Sequence, residues 1–189
     1  MSAEDGEFTG KPKGGPVEVV SYDPLWPQRF EREKARLSRT LGENALRMDH
    51  VGSTAVPGLA AKPVIDAQIS VASLDDESSY LPQLHSLGLS LRYRAEDRRF
   101  FRPPECEPRT LHVHVHVCES GSRSERDHLL FAAYLRAHPA RRDAYAALKR
   151  DLEQRFRDRR EDYLASKAPF IQQTLTRAEK WLAHTKMSL

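Results

Sequence analysis

The chain has 189 residues, of which 39% are hydrophobic and 30% charged, with 30 Lys and Arg against 27 Asp and Glu. This composition suits one globular domain and excludes a disordered chain, and a net charge of only +3 gives no argument for nucleic acid as a partner. No apolar run reaches the roughly 18 residues of a membrane span, and residues 1–15 lack a signal peptide's apolar core. We therefore expect a cytoplasmic protein without a membrane or nucleic-acid partner.

The predicted domain organisation is one domain between two short tails. Residues 1–16 are rich in Gly, Pro and Lys and are predicted to be flexible. A single domain is predicted over residues 17–184, with a second tail at 185–189. No internal repeat or linker divides the region between them.

The first part of this domain is predicted to contain both strands and helices. Residues 17–20 are a β-like run, and a helix opens after Asp23-Pro24 and ends at Gly42. Apolar runs and alternation then predict a short helix at 80–87 and strands at 46–51, 63–71, 89–93 and 98–102. In the strand at 63–71, alternation places Asp66 and Gln68 on one face and only apolar residues on the other.

The remainder of the chain predicts one further strand and three helices. The strand at 110–118 alternates strictly, with valines on one face and His112, His114 and His116 on the other. The spacing from Ser122 to Glu125 is that of a capping box, which predicts a helix start. A second helix is predicted from Pro139, and a third is predicted to be interrupted at Pro169. The predicted fold is an α/β (α+β) mixed sheet flanked by helices, with the C-terminal helices packed on it.

The turn after the strand at 46–51 is a candidate phosphate site. Gly52 would let the backbone turn sharply beside a ligand, and Ser53 would offer a hydroxyl and an N–H group to a phosphate. An ordinary strand-to-loop turn would also explain this pair of residues. Asp66, on the next strand, is a carboxylate of the type that binds Mg²⁺ together with substrate phosphates. Lys62 and the arginines at 92, 94, 98, 99 and 102 could surround such a phosphate, or could simply be solvated surface charges.

The three histidines of the strand at 110–118 suggest a second kind of chemistry. Neighbouring histidines on one face lie about 6.6–7 Å apart, so His112 with His114, or His114 with His116, could share one metal ion. The nearest further ligand would be Asp66. A row of pocket histidines that bind water or anions is the alternative. The two cysteines, Cys106 and Cys118, match no common zinc spacing and are expected to remain unpaired.

Several segments resemble the GrpB family, a branch of the nucleotidyltransferase superfamily. The longest is HVGSTAVPGLAAKPVID at residues 50–66. Shorter similar segments lie at 111–115, 126–139, 145–149 and 167–171, so that the resemblance spans about residues 17–182. Members of this family also occur fused to dephospho-CoA kinase. The chain has no GxxxxGK[ST] phosphate-binding loop, so the resemblance implies no kinase activity here.

The resemblance implies a nucleotide or other phosphorylated small molecule as ligand and Mg²⁺-dependent nucleotidyl transfer as the activity. Asp66 would hold the metal, and Gly52, Ser53 and Thr54 would position the phosphates. His112 or His114 would be a further ligand or a proton carrier, with His114 the catalytic candidate. Lys62 and Gln68, on the polar face of its strand, are further ligand-binding candidates. The superfamily expects a second acidic residue at the position of Gln68, and this departure leaves a non-catalytic binding or partner domain as the alternative.

Overall fold

A computed structural model describes residues 7–8, 15–104 and 112–185, with only the backbone at residues 7, 8 and 112. Its centre is a six-stranded sheet in the order β1-β4-β5-β6-β3-β2. The strands are β1 (Glu7–Phe8), β2 (Arg47–Val51), β3 (Val64–Val71), β4 (Ser90–Ala95), β5 (Arg98–Arg102) and β6 (His112–Glu119). The helices are α1 (Trp26–Leu41), α2 (Leu81–Ser86), α3 (Arg123–Ala137), α4 (Pro139–Phe156) and α5 (Arg160–Thr185).

The sheet is mixed because β3 and β6 are parallel whereas the other neighbouring strands are antiparallel. The register of the parallel pair places Asp66 beside His114 and Gln68 beside His116. Since side chains alternate along a strand, all four of these residues share one face of the sheet. The predicted mixed sheet flanked by helices is confirmed.

The opposite face of the sheet carries the main hydrophobic core. Alternate residues of β3 and β6, including Ile65, Ile69 and Val115, are at most 1% exposed. They pack with Trp26 and Leu37 of α1 in one cluster. The prediction that one face of β3 is purely apolar and packs on the core is therefore confirmed.

Helices α3, α4 and α5 form the C-terminal part of the chain, and α3 lies on the face that bears Asp66. Ser122 caps α3 by accepting a hydrogen bond of 3.3 Å from the Glu125 N–H, as the capping-box spacing predicted. The Gln68 side chain donates to the Glu125 carbonyl oxygen at 3.3 Å, so this helix contacts β3 directly. Pro139 stands in the first turn of α4, as predicted. None of the helices formed by the described residues has the length and apolarity needed to cross a bilayer.

Helix α5 corrects one prediction, because it continues through Pro169 instead of being interrupted there. A proline inside a helix removes one backbone hydrogen bond and costs about 3 kcal/mol. Packing on both sides of the proline offsets this cost: Tyr163 is buried before it, and Phe170 and Leu175 contact the α3–α4 cluster after it. Tertiary contacts therefore outweigh the local preference.

The N-terminal segment also differs from the prediction in two places. Val20 forms only an isolated bridge with Ala61, so residues 17–20 are not a strand. Glu7–Phe8, within the predicted tail, pairs with β4, because an edge strand offers unpaired backbone groups to any extended segment. Residues 1–6, 9–14 and 186–189, as well as Cys106, lie outside the described residues, and the predicted domain limits stay predictions.

Candidate functional site

The turn after β2 brings the backbone against Asp66. Gly52 has φ 69° and ψ −165°, a conformation essentially restricted to glycine, and Ser53–Ala55 follow as a 3₁₀ turn. A Cβ atom at Gly52 would lie 3.0 Å from both Cβ and Cγ of Asp66, and closer still to Oδ2. A glycine is therefore required both by the backbone conformation and by the close approach of the Asp66 carboxylate.

Two histidines of β6 hold the Asp66 carboxylate. Its Oδ1 atom lies 3.3 Å from Nδ1 of His114 and 3.5 Å from Nε2 of His116, and the side chain is 25% exposed. Burial would raise the pKa of Asp66, but hydrogen bonds from the two imidazoles dominate and hold the pKa far below its usual range. Burial lowers the pKa of His114, against the opposing effect of Asp66. The carboxylate is therefore ionised at neutral pH.

The described side chains around Asp66 do not make up a complete set of metal ligands. Within residues 7–8, 15–104 and 112–185, no three His, Cys, Asp or Glu side chains form a group that could hold one. Both imidazoles contact the same oxygen of Asp66, whereas Oδ2 faces Gly52. The side chain of His112 is outside the described part of the chain, so its predicted role stays a prediction. Any Mg²⁺ ion would need most of its oxygen ligands from a bound molecule.

A buried lysine from α4 reaches the same turn. The Lys149 ammonium group donates to Oγ of Ser53 at 3.0 Å, although the residue is only 2% exposed. It also lies 4.5 Å from the centroid of the Tyr145 ring. Burial, followed by repulsion from Lys167, lowers the pKa of Lys149 to about 6, and Asp66 partly opposes this change. A charged amine is therefore costly in the ligand-free site.

The pKa values of two further lysines are lowered in the same way. Burial and repulsion from Arg160 lower the pKa of Lys62 to about 7, and Asp66 acts in the opposite direction. Burial lowers the pKa of Lys167, on α5, to about 8, and Asp66 again opposes the shift. We call Ser53, Lys62, Asp66, Lys149 and Lys167 the lysine site. Three amines and one carboxylate leave it with a deficit of negative charge.

Some of the other predicted site residues do not belong to the lysine site. Thr54 is 1% exposed and its hydroxyl lies 3.0 Å from Nε2 of His50. Gln68 is fully buried beneath α3, where its carbonyl oxygen lies 2.7 Å from Nδ1 of His128. A ligand could reach Gln68 only by displacing α3. Arg94 and Arg99 bind Glu77 at 2.9 and 2.8 Å, so they do not surround the phosphate turn.

Sequence reasoning assigned no role to Lys149 or Lys167, which the fold brings to Ser53 and Asp66. Both lysines follow the turn by about a hundred residues and lie on helices whose charged residues look like ordinary solvated faces. The available signal was that each lysine falls inside a segment that resembles the GrpB family, at 145–149 and 167–171. Burial of a lysine on a charged helix cannot be read from such a pattern.

The chain is similar in sequence to several known proteins. UPF0157 protein BH1888 of Halalkalibacterium halodurans is 39% identical over 172 residues, which cover 89% of this chain and 85% of that protein. A dephospho-CoA kinase of Mycolicibacterium paratuberculosis is 34% identical over 194 residues, covering 90% of this chain but only 48% of the kinase. The chain thus corresponds to about half of that longer protein, and the kinase name describes the longer protein.

Solved structures show the same relationship. The crystal structure of the conserved protein GrpB from Enterococcus faecalis has a TM-score of 0.77 and 33% identity, covering 86% of this chain and 98% of that one. The Cid1 poly(U) polymerase bound to MgGTP has a TM-score of 0.50 at 12% identity, covering 72% of this chain and 45% of the polymerase. This second likeness shows a nucleotidyltransferase-like fold. The family model described as GrpB protein matches residues 16–177, and the chain belongs to the GrpB family.

Proposed function

We propose that the chain binds a nucleotide or another phosphorylated small molecule at the lysine site. The observation that carries this proposal is the Lys149 amine, which donates to Ser53 at 3.0 Å in the turn that packs against Asp66. Lys62 and Lys167 also lie near enough to interact electrostatically with this carboxylate. A bound phosphate would supply the missing negative charge and raise the pKa of each of the three amines. Lysine amines are common phosphate ligands, and an ammonium group is stabilised in a buried site when an anion accompanies it.

The geometry of the turn supports a phosphate over a smaller anion. Ser53 presents its hydroxyl beside Lys149. The three lysines come from the segment before β3, from α4 and from α5, so they approach from different directions. A tetrahedral group with several oxygens can accept from several such donors at once.

Nucleotidyl transfer is the activity that we propose to test at this site. The nucleotidyltransferase-like fold and the ionised Asp66 support it, with Mg²⁺ entering together with the nucleotide. Burial of Gln68 beneath α3 favours the second candidate, a domain that binds its ligand without catalysis. Release of pyrophosphate from nucleoside triphosphates, measured with and without Mg²⁺, separates the two candidates.

The binding experiment is a thermal-shift and calorimetry series with ATP, inorganic phosphate and AMP. Lys149→Met removes the amine while keeping an unbranched side chain, so the fold should persist and ATP binding should weaken by about 10-fold or more, as expected for a lost charged hydrogen bond. The matched control is Lys180→Met, an exposed lysine on α5, which should bind like the unaltered chain. Equal affinities of the two variants would refute the proposal.

The metal dependence is measured separately. The protein should not bind Mg²⁺ alone, should bind ATP more tightly with Mg²⁺ than without it, and should lose that difference in Asp66→Asn. Zn²⁺ binding without nucleotide, lost in His114→Ala and weakening below about pH 6, would instead indicate a histidine metal site. ATP binding that is independent of Mg²⁺ and unaffected by Asp66→Asn would leave the lysines as the ligand-binding groups and remove the metal from the proposal.

A further inference from the structure

A cavity of about 250 Å³ lies on the same face of the sheet as the lysine site. It is formed between the β4–β5 hairpin, the first turn of α3 and the middle of α5, and its lining includes Tyr93, Asp97, Arg98, Ser124, Asp127 and Gln172. Its volume is below the 300–1,000 Å³ of typical small-molecule pockets. The cavity therefore suits one part of a ligand whose remainder is bound elsewhere.

The lining of this cavity is polar but unsuited to a second phosphate. Asp97 and Asp127 bring carboxylates that would repel an anion, and Arg98 is already placed over the Tyr93 ring, 5.5 Å from its centroid. The Ser124 hydroxyl donates to Oδ2 of Asp97 at 2.6 Å. The amide, guanidinium and carboxylate groups around the aromatic ring include both donors and acceptors. An uncharged heteroaromatic group with donors and acceptors of its own matches these properties.

Two elements connect the cavity to the lysine site. Along β5, alternate residues on one face are Arg102, Phe100 and Arg98, about 7 Å apart. Arg102 lies close enough to lower the pKa of Lys62, the Phe100 ring is 5.0 Å from His114, and Arg98 lines the cavity. Phe100 therefore forms the floor between the two sites.

Helix α5 is the second element that connects the cavity to the lysine site. Lys167 belongs to the lysine site and Gln172 lines the cavity, five residues further along the same helix. At 1.5 Å and about 100° per residue, the two positions differ by a rise of about 7.5 Å and a rotation of about 140°. Helix α5 therefore passes both sites and presents a different side to each.

We propose that the cavity beside Tyr93 and Gln172 binds the nucleobase of a nucleotide whose phosphates occupy the lysine site. This inference rests on the proposed function and adds the chemical class of the second part of the ligand. The base would lie toward the cavity, past the Phe100 ring, with its edge facing Ser124 and Gln172. The ligand is accordingly a nucleotide, and a simple phosphate or polyphosphate would use only half of the site.

The test compares ATP with tripolyphosphate by calorimetry. Charge alone favours tripolyphosphate, so tighter binding of ATP reports contacts to the nucleoside. Gln172→Ala should weaken ATP about 2- to 10-fold, the range for one lost hydrogen bond, and leave tripolyphosphate unchanged. The matched control is Gln173→Ala, because Gln173 is exposed like Gln172 but is absent from the cavity lining.

Each result has a defined meaning. Tighter binding of ATP that Gln172→Ala reduces and Gln173→Ala does not would support the nucleobase site. Equal or tighter binding of tripolyphosphate, or the same ATP affinity in both glutamine variants, would overturn this inference while leaving phosphate binding at the lysine site intact. Failure of both probes to bind would overturn the proposed function together with the inference.

Discussion

Replacing Gly52 by alanine tests how the phosphate turn and Asp66 depend on each other. The new Cβ would sit 3.0 Å from Cβ and Cγ of Asp66, a separation that real Cβ atoms rarely show. The Asp66 atoms are on a central strand, where β3 pairs with both β2 and β6, so the strand cannot easily yield. We expect the turn to move away from Asp66 and Ser53 to move with it.

The cost has two parts. Holding a residue other than glycine in this backbone region costs about 1–3 kcal/mol, and crowding in a packed environment adds about 1–3 kcal/mol. The expected loss in the free energy of unfolding is therefore about 2–6 kcal/mol. Gly88→Ala is the matched control, because Gly88 also has a positive φ of 76° but no atom within 4 Å of the added Cβ. It should cost only the backbone strain, about 1–2 kcal/mol.

Urea unfolding of the two variants without ligand measures both costs, and calorimetry with ATP measures the effect on the site. Gly52→Ala should lose more stability than Gly88→Ala and should also bind ATP more weakly, whereas Gly88→Ala should bind normally. Equal destabilisation of the two variants, with unchanged ATP binding by Gly52→Ala, would refute the steric reasoning.

Three other predictions concern stability and reactivity. Burial lowers the pKa of His50 to about 4, so below pH 6.5 the unfolded chain binds a proton that the folded chain does not bind. The free energy of unfolding should therefore fall by about 2 kcal/mol from this group between pH 7 and pH 5. In urea titrations, His50→Asn should remove that part of the decrease. Pro169→Ala should stabilise the chain by about 1–3 kcal/mol in the same titrations, because it restores a helical hydrogen bond, and a loss of stability would contradict this account. Burial raises the pKa of the Cys118 thiol to about 12, so in a Cys106→Ser variant a thiol reagent should react only after unfolding. Rapid reaction of the folded protein would show that Cys118 is accessible to solvent.

The strands and most helix starts could be predicted because their signals are local. Strict alternation around His114 and Asp66 fixes which face each side chain occupies, and the parallel register then brings the two together at 3.3 Å. The Ser122 cap and the start of α4 at Pro139 depend on a few neighbouring residues. Pro169 misled the prediction because the contacts that keep α5 helical come from distant segments.

The candidate site was only half predictable for the same physical reason. The sequence motif identifies Ser53 and Asp66, since both lie within one short stretch of chain. Lys149 reaches Ser53 only after α4 has packed, a separation of 96 residues. The polar position of Gln68 looked accessible, and only the docking of α3 shows that it is covered.

The lysine site is divided between two parts of the chain, with Ser53 in the turn after β2, Asp66 on β3, and Lys149 and Lys167 on the C-terminal helices. A ligand bound there would contact both parts and hold them together without a covalent bond. Two fragments separated at the turn around Gly121 would each hold only part of the charge, so ligand should promote their reassociation. The same coupling makes ligand affinity a measure of helix docking, and a loosened helical part would lose the ligand before the sheet itself unfolds.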